Sequence, residues 1–326
     1  MKKQALSGNL LVSIAALLWG TSFVAIEWGF RESDIDPLVY VFLRFSIATL
    51  MFLPFAFWKM KRKTSIIGNK AIILIALFNA LAFMLQFIGQ QYTSAGKASL
   101  FVNFYAITVP LIAPLILPEK YSWRVIVSAI LGFSGAFFVT TNLDFKNIQG
   151  GTWKGDLLTL GSGIAWTLYI LFSKKLLEKD KQISGLDAFF GTIVWTTIFL
   201  TLVVPLAFIN NSIFVSYSWG IVIAQLNWKV IVSILYLALV CTVGAFALYM
   251  VGLKKAEAGE SVIYMFLEVV VAFLLGWVFL KTIPKKWEYV GAAMIVAAII
   301  LVSIKRKGIR SFEEDVSGNN VGTNNT

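Results

Sequence analysis

The sequence predicts an all-α integral membrane protein, with ten transmembrane helices arranged as two inverted five-helix repeats. Three observations predict it. The chain of 326 residues is 58% hydrophobic and only 14% charged, with a mean hydropathy of +0.80. A soluble domain is about one-quarter charged, so this chain has too few polar residues to cover a surface facing water. Its apolar residues fall in runs of about 20, the number that crosses a hydrocarbon core of about 30 Å. Finally, the second half repeats landmarks of the first.

Apolar runs bounded by charged or turn-forming residues give the spans in order. The first runs from Asn9 to Trp28 behind Lys2 and Lys3; it lacks a small-residue cleavage pattern and reads as a retained helix. The second runs from Pro37 to Trp58 and ends at the basic cluster Lys59 to Lys63. The third, Ala71 to Gln91, and the fourth, Ala95 to Leu117, are separated by Tyr92-Thr93-Ser94. The fifth is Trp123 to Thr141, the sixth Asp156 to Lys174, the seventh Asp187 to Ile209 and the eighth Trp228 to Gly252. The ninth, Gly259 to Leu280, and the tenth, Trp287 to Ile304, flank Lys281, Lys285 and Lys286. Lysine and arginine are concentrated in the segments that share a side with the N-terminus. A multi-pass chain in the cell membrane with both termini cytoplasmic is therefore expected. Residues 305–326, rich in Ser, Asn and Gly, are expected to form a disordered cytoplasmic tail.

Several functions are excluded at this level. Cys241 is the single cysteine, so no internal disulfide forms, and the absence of histidine removes His-based catalysis and His-ligated metal sites. No G-x-x-x-x-G-K-[ST] run is present for ATP hydrolysis. The net charge of +11 comes from clusters between apolar runs, which argues against a nucleic-acid partner. The sequence implies no cofactor and no metal.

The internal repeat is carried by Gly8-Asn9-Leu10-Leu11 with Trp19, echoed at constant offset by Gly155-Asp156-Leu157-Leu158 with Trp166. Ala95-Gly96 and Ala258-Gly259 likewise open the fourth and ninth spans, each followed by a helix beginning at Trp123 or Trp287. The repeats are 8–141 and 155–304. Five spans per repeat force the second copy to insert upside down, an architecture of secondary transporters that bind near the midplane between halves.

These residues also carry a family resemblance. Leu18-Trp19-Gly20-Thr21-Ser22-Phe23, Leu43-Arg44-Phe45, Tyr92-Thr93-Ser94-Ala95 and Leu117-Pro118-Glu119-Lys120 resemble the drug/metabolite transporter superfamily, in particular its EamA-type members. The resemblance extends from Gly8 to about Ile304. It departs at Lys281-Thr282, where the family often has Gly-Glu, at Val269, where a proline usually follows the acidic residue, and at Glu27, where a lysine is common. It implies transport of small organic solutes such as amino acids, in the export direction.

A charge at mid-bilayer is costly unless it is paired or faces water. Glu268 lies about 14 Å into the ninth helix, and Arg44 about 10 Å into the second from the opposite surface. The two are expected to pair, or Arg44 to hold a substrate carboxylate and Glu268 a proton or amine; the reading favoured for Arg44 is structural, a guanidinium capping carbonyls or snorkelling toward headgroups. Glu27 reads as interfacial. Polar and aromatic stripes at helical spacing mark faces turned away from lipid. They are Asn79, Gln86 and Gln90 on the third span; Ser162, Trp166, Tyr169 and Ser173 on the sixth; and Ser261, Tyr264 and Glu268 on the ninth. The fourth carries Ser99, Asn103, Pro110 and Pro114 with Tyr105 nearby, and its prolines predict a kink. Trp19 and Trp166, at equivalent repeat positions, are expected on opposite walls of a central cavity. The candidate substrate-binding set is Trp19, Arg44, Gln86, Gln90, Asn103, Tyr105, Trp166, Tyr169, Tyr264 and Glu268. Interhelical hydrogen bonding is the competing account of each stripe.

The function expected is secondary transport by alternating access, with a small-molecule substrate and the lipid bilayer as partners and a homodimer left open. The alternative is a membrane-embedded lipid- or isoprenoid-modifying enzyme. Such enzymes need clustered carboxylates for metal and pyrophosphate, whereas the aspartates here are scattered.

Overall fold

The computed structural model describes residues 2–59, 63–92, 95–119, 121–143, 152–205, 219–280 and 285–304. Among these, the regular structure is helical: α1 Lys2–Arg31, α2 Pro37–Lys59, α3 Lys63–Ile67, α4 Lys70–Tyr92, α5 Ala95–Val102, α6 Tyr105–Ile116, α7 Trp123–Thr141, α8 Trp153–Lys179, α9 Gly185–Val203 and α10 Trp219–Gln225. Then follow α11 Trp228–Tyr236, a π-helical segment Leu237–Gly244, α12 Ala245–Leu253, α13 Ala258–Met265, α14 Leu267–Leu280 and α15 Lys286–Ser303. The residues expected to form the tail, and Lys281, lie outside the described set.

Eight helices among the described residues are long and apolar enough to cross a membrane, counting α11 to α12 as one. The chain sets their ends locally. Ser184 and Asp187 form a reciprocal cap on α9, Thr152 caps α8 and Asn227 caps α11. Asn142 stops α7 in the left-handed conformation at φ 48°. Large apolar side chains such as Leu115, Leu202 and Trp58 are exposed on the outer faces, as lipid-facing positions require.

The fourth and ninth apolar runs are both broken. Asn103 and Phe104 interrupt the fourth, between α5 and α6, and Phe266 interrupts the ninth, between α13 and α14. At each break the backbone tightens to i→i−3 bonds, Phe104 N–H to Phe101 O and Phe266 N–H to Ile263 O. The interruption of the fourth run is thus a break between two helices, separate from the prolines expected to kink it. Both prolines sit within α6, and the interruption lies upstream of them.

Helices from the two halves interleave, with α1 packed on α12 and α14, α4 along α8 and α9, and α7 along α15. Glycines permit the closest approaches. A Cβ on Gly20 would come within 2.7 Å of the Glu268 carbonyl, and one on Gly163 within 2.5 Å of the Phe101 carbonyl. These two contacts bring Trp19 and Trp166 toward the two helix breaks. Gly132 lies against the Phe266 ring.

At one end of the bundle, where α6, α8, α12 and α13 meet, buried charges form a polar cluster. Lys174 Nζ donates to Ala256 O at 2.5 Å and Leu253 O at 3.2 Å, and lies 3.2 Å from Glu178 and 3.8 Å from Glu119. Glu119 accepts the Ala258 N–H on both oxygens at 3.0 Å and the Tyr121 hydroxyl, and Tyr121 in turn accepts the Gly259 N–H at 2.9 Å. Glu119 and Tyr121 thereby satisfy the first amides of α13, which its own helix cannot.

Candidate functional site

Between the two breaks lies a central cavity. Its walls draw on both halves: Trp19 and Ser22 from α1, Arg44 from α2, Phe83 and Gln86 from α4, Trp166 and Tyr169 from α8, and Phe246 and Tyr249 from α12. Val102, Tyr105, Met265 and Glu268 contribute from the broken helices. Glu268 is the second residue of α14 and Tyr105 the first of α6, so both second half-helices begin at the cavity. A carboxylate in the first turn of a helix meets the positive end of its dipole, which helps a charge persist at this depth.

Glu268 accepts the Tyr105 hydroxyl at 3.3 Å and a second hydrogen bond from the Asn103 side chain. Arg44, 2% exposed, donates Nε–H to the Thr242 hydroxyl at 2.8 Å and lies over the Phe83 ring at 4.9 Å. Arg44 and Glu268 both line the cavity without forming an ion pair; the described ion pairs lie elsewhere, on Lys174 and Lys229.

The remaining walls are aromatic. Trp19 meets Phe246 edge-on at 4.7 Å and Tyr249 at 5.3 Å, while Trp166 meets Phe83 at 5.0 Å and stacks on Phe246 at 6.0 Å. The Trp19 indole donates to the Cys241 carbonyl at 2.8 Å. By contrast, Trp166 Nε1 and the Tyr169 hydroxyl are buried with no protein partner. A buried donor without a partner is expensive unless a ligand or water completes it.

Of the residues picked from sequence, Trp19, Arg44, Gln86, Tyr105, Trp166, Tyr169 and Glu268 line this cavity. Asn103 reaches it through Glu268. Gln90 lies one turn beyond Gln86 and outside the lining. Tyr264 points elsewhere, its hydroxyl 2.9 Å from Ser303 on α15. Asn79 and Ser162 also leave the site: Asn79 donates to Thr196 on α9 and Ser162 to the Ala82 carbonyl, so their stripes partly hold helices together. The side chains of Glu27 and Ser99 lie outside the described set. Sequence reasoning missed Phe83, Phe246 and Tyr249. The last two are embedded in an unbroken apolar run, and only their i, i+3 spacing offered a signal.

The sequence matches the EamA-like transporter family over residues 6–141 and 153–304. The chain belongs to this family. Relatives align along nearly the whole transporter. An uncharacterized transporter of Archaeoglobus fulgidus is 25% identical over 302 residues, covering 91% of this chain and 98% of the relative. A probable amino-acid metabolite efflux pump of Salmonella typhimurium is 24% identical over 297 residues, covering 90% and 93%. A solved crystal structure with 16% identity superposes with a TM-score of 0.72 over 91% of this chain and 96% of its own, a likeness of fold. The protein is thus a multi-pass membrane protein of a transporter family.

Proposed function

We propose that this protein is a secondary transporter of small organic solutes, amino acids or related metabolites, working by alternating access without ATP. Export is the favoured direction. The observation that carries the reading is the central cavity, where Arg44 and Glu268 present opposite charges among aromatic walls drawn from both halves. A zwitterion complements that arrangement, with its carboxylate toward Arg44 and its ammonium toward Glu268, while the indoles and phenyl rings cover its apolar part. The amino-acid name borne by the Salmonella typhimurium relative supports the same substrate class.

The reading includes ten crossings, with α5–α6 and α13–α14 as discontinuous spans, in two inverted units of 8–141 and 155–304. Both termini are cytoplasmic and the membrane is the cell membrane. Broken helices meeting near mid-membrane at a repeat interface are a recurrent way of building such a site. The test is counterflow of radiolabelled amino acids in proteoliposomes. The wild type should exchange at least one, and Glu268→Gln should lower its rate more than tenfold while the unfolding temperature in detergent is preserved. Full exchange by Glu268→Gln would remove the carboxylate from the mechanism.

A further inference from the structure

Resting on the transporter reading, we infer that Thr242 is a positioning residue. It holds Arg44 by its Nε so that the terminal Nη1 and Nη2 fork forms a carboxylate subsite of the cavity. The eighth span loses regular α-helical register at Leu237–Gly244, where it becomes π-helical. Such turns are uncommon and concentrate at functional sites. Two successive residues of this segment hold two successive pieces of the cavity wall: Cys241 O accepts the Trp19 indole N–H and Thr242 Oγ1 accepts Arg44 Nε–H, each at 2.8 Å. Thr242 is fully buried, about one turn before Phe246, which lines the cavity with Tyr249.

The chemistry depends on which nitrogen is held. A guanidinium bound through Nη2 and Nε would have its usual bidentate edge occupied. Here Nε is taken by a neutral hydroxyl and one face of the guanidinium is covered by Phe83, 4.9 Å away. The plane of the group is fixed, and its outer edge, Nη1 with Nη2, stays available for two parallel N–H···O bonds. That edge matches a carboxylate or another planar oxyanion, which a lysine ammonium in the same place would not select by shape. Among the described residues no ion pair occupies Arg44, so the complementary acid is supplied by the ligand.

The experiment uses three probes of one shape: L-phenylalanine, 3-phenylpropanoate, which lacks the amine, and phenethylamine, which lacks the carboxylate. Binding to the full-length protein in detergent is read by tryptophan fluorescence and calorimetry. The wild type should bind both carboxylates. Thr242→Val, nearly equal in volume, should weaken both about tenfold and leave phenethylamine unchanged, the loss of an oriented charge-assisted contact. Thr242→Ser should restore carboxylate binding, and Arg44→Lys should lose it even with Thr242 intact. If the wild type binds neither carboxylate, or if Thr242→Val weakens all three probes alike, the subsite is overturned. Should Thr242→Val fail to fold, unaltered carboxylate binding by Arg44→Lys would also overturn it. The broader reading fails separately, if no amino acid exchanges in proteoliposomes.

Discussion

Two regions of the molecule hold buried charge, and they treat it in opposite ways. In the end cluster the protein itself supplies the partners: Lys174 is held by two carbonyls and two carboxylates, and Glu119 by a hydroxyl and the Ala258 amide. In the cavity Arg44 has a single hydrogen bond to a neutral hydroxyl, and two donors, Trp166 Nε1 and the Tyr169 hydroxyl, have no protein partner. A charge paired with an opposite charge of the same chain serves the scaffold, because removing either side leaves the other desolvated and unpaired. A polar wall left incomplete by its own fold is suited to a ligand. The end cluster also joins the chain just after α6 to the start of α13, and those two half-helices both run toward the cavity at their other ends. The scaffold charge and the site charge are thus connected through short rigid helices.

The largest effect that would sharpen this contrast is expected at the cluster. Lys174→Met should destabilise the protein by about 3–5 kcal/mol, the usual consequence of leaving a buried carboxylate without its cation. The measurement is detergent-solubilised unfolding, and a stability equal to wild type would erase the distinction between the regions. Glu119→Gln should cost less, since an amide oxygen still accepts the Ala258 N–H.

At the cavity the order should reverse, with function moving more than stability. Trp166→Phe removes an N–H that no protein group accepts and leaves a smaller aromatic ring beside Phe83 and Phe246. Exchange in proteoliposomes should fall about three- to tenfold, with unfolding changed by less than about 1 kcal/mol. Tyr169→Phe tests the same point with a hydroxyl and should behave similarly but more weakly. A large loss of stability in either variant would place these groups with the scaffold.

The smallest expected effect is the pH dependence that the cluster contributes. Burial pushes the Glu119 carboxyl above the usual carboxylate range, outweighing the Tyr121 hydroxyl, the Ala258 amide and the Lys174 ammonium that pull it down. A carboxyl raised in the folded state favours folding most below its unfolded pKa, and that contribution is lost as pH rises through the folded value. Unfolding temperature should therefore decline from acid toward neutral pH more in the wild type than in Glu119→Gln. Asp36, also pushed up by burial, adds to the slope that remains in the variant. Identical pH profiles would show that Glu119 does not titrate in that window.

Much of the site was legible because membrane interiors make polar residues conspicuous. Glu268 and Arg44 stand out in apolar runs, and Trp19 and Trp166 were linked by their repeat positions. Phe246 and Tyr249 gave no such contrast, since an aromatic in an apolar helix can face lipid, core or cavity with equal propriety. Tyr264 shows the opposite failure: its spacing suits the cavity face, but the break at Phe266 resets the helical phase between it and Glu268, and it turns to Ser303. In sequence Lys174 is the boundary cation that ends the sixth span; only the folded chain brings the Leu253 and Ala256 carbonyls over it.

Hydropathy and run length alone determined that this chain is helical and lies in a membrane, because lipid permits few ways to satisfy a backbone. Periodicity along one helix can show that a face is polar, but it carries no information about what stands opposite. Where α5–α6 and α13–α14 break, why the π-helical segment holds Arg44, and which charges the protein completes for itself were decided by the tertiary structure. Each depends on contacts between residues as far apart as Arg44 and Thr242, whose meeting is a property of the whole packed bundle.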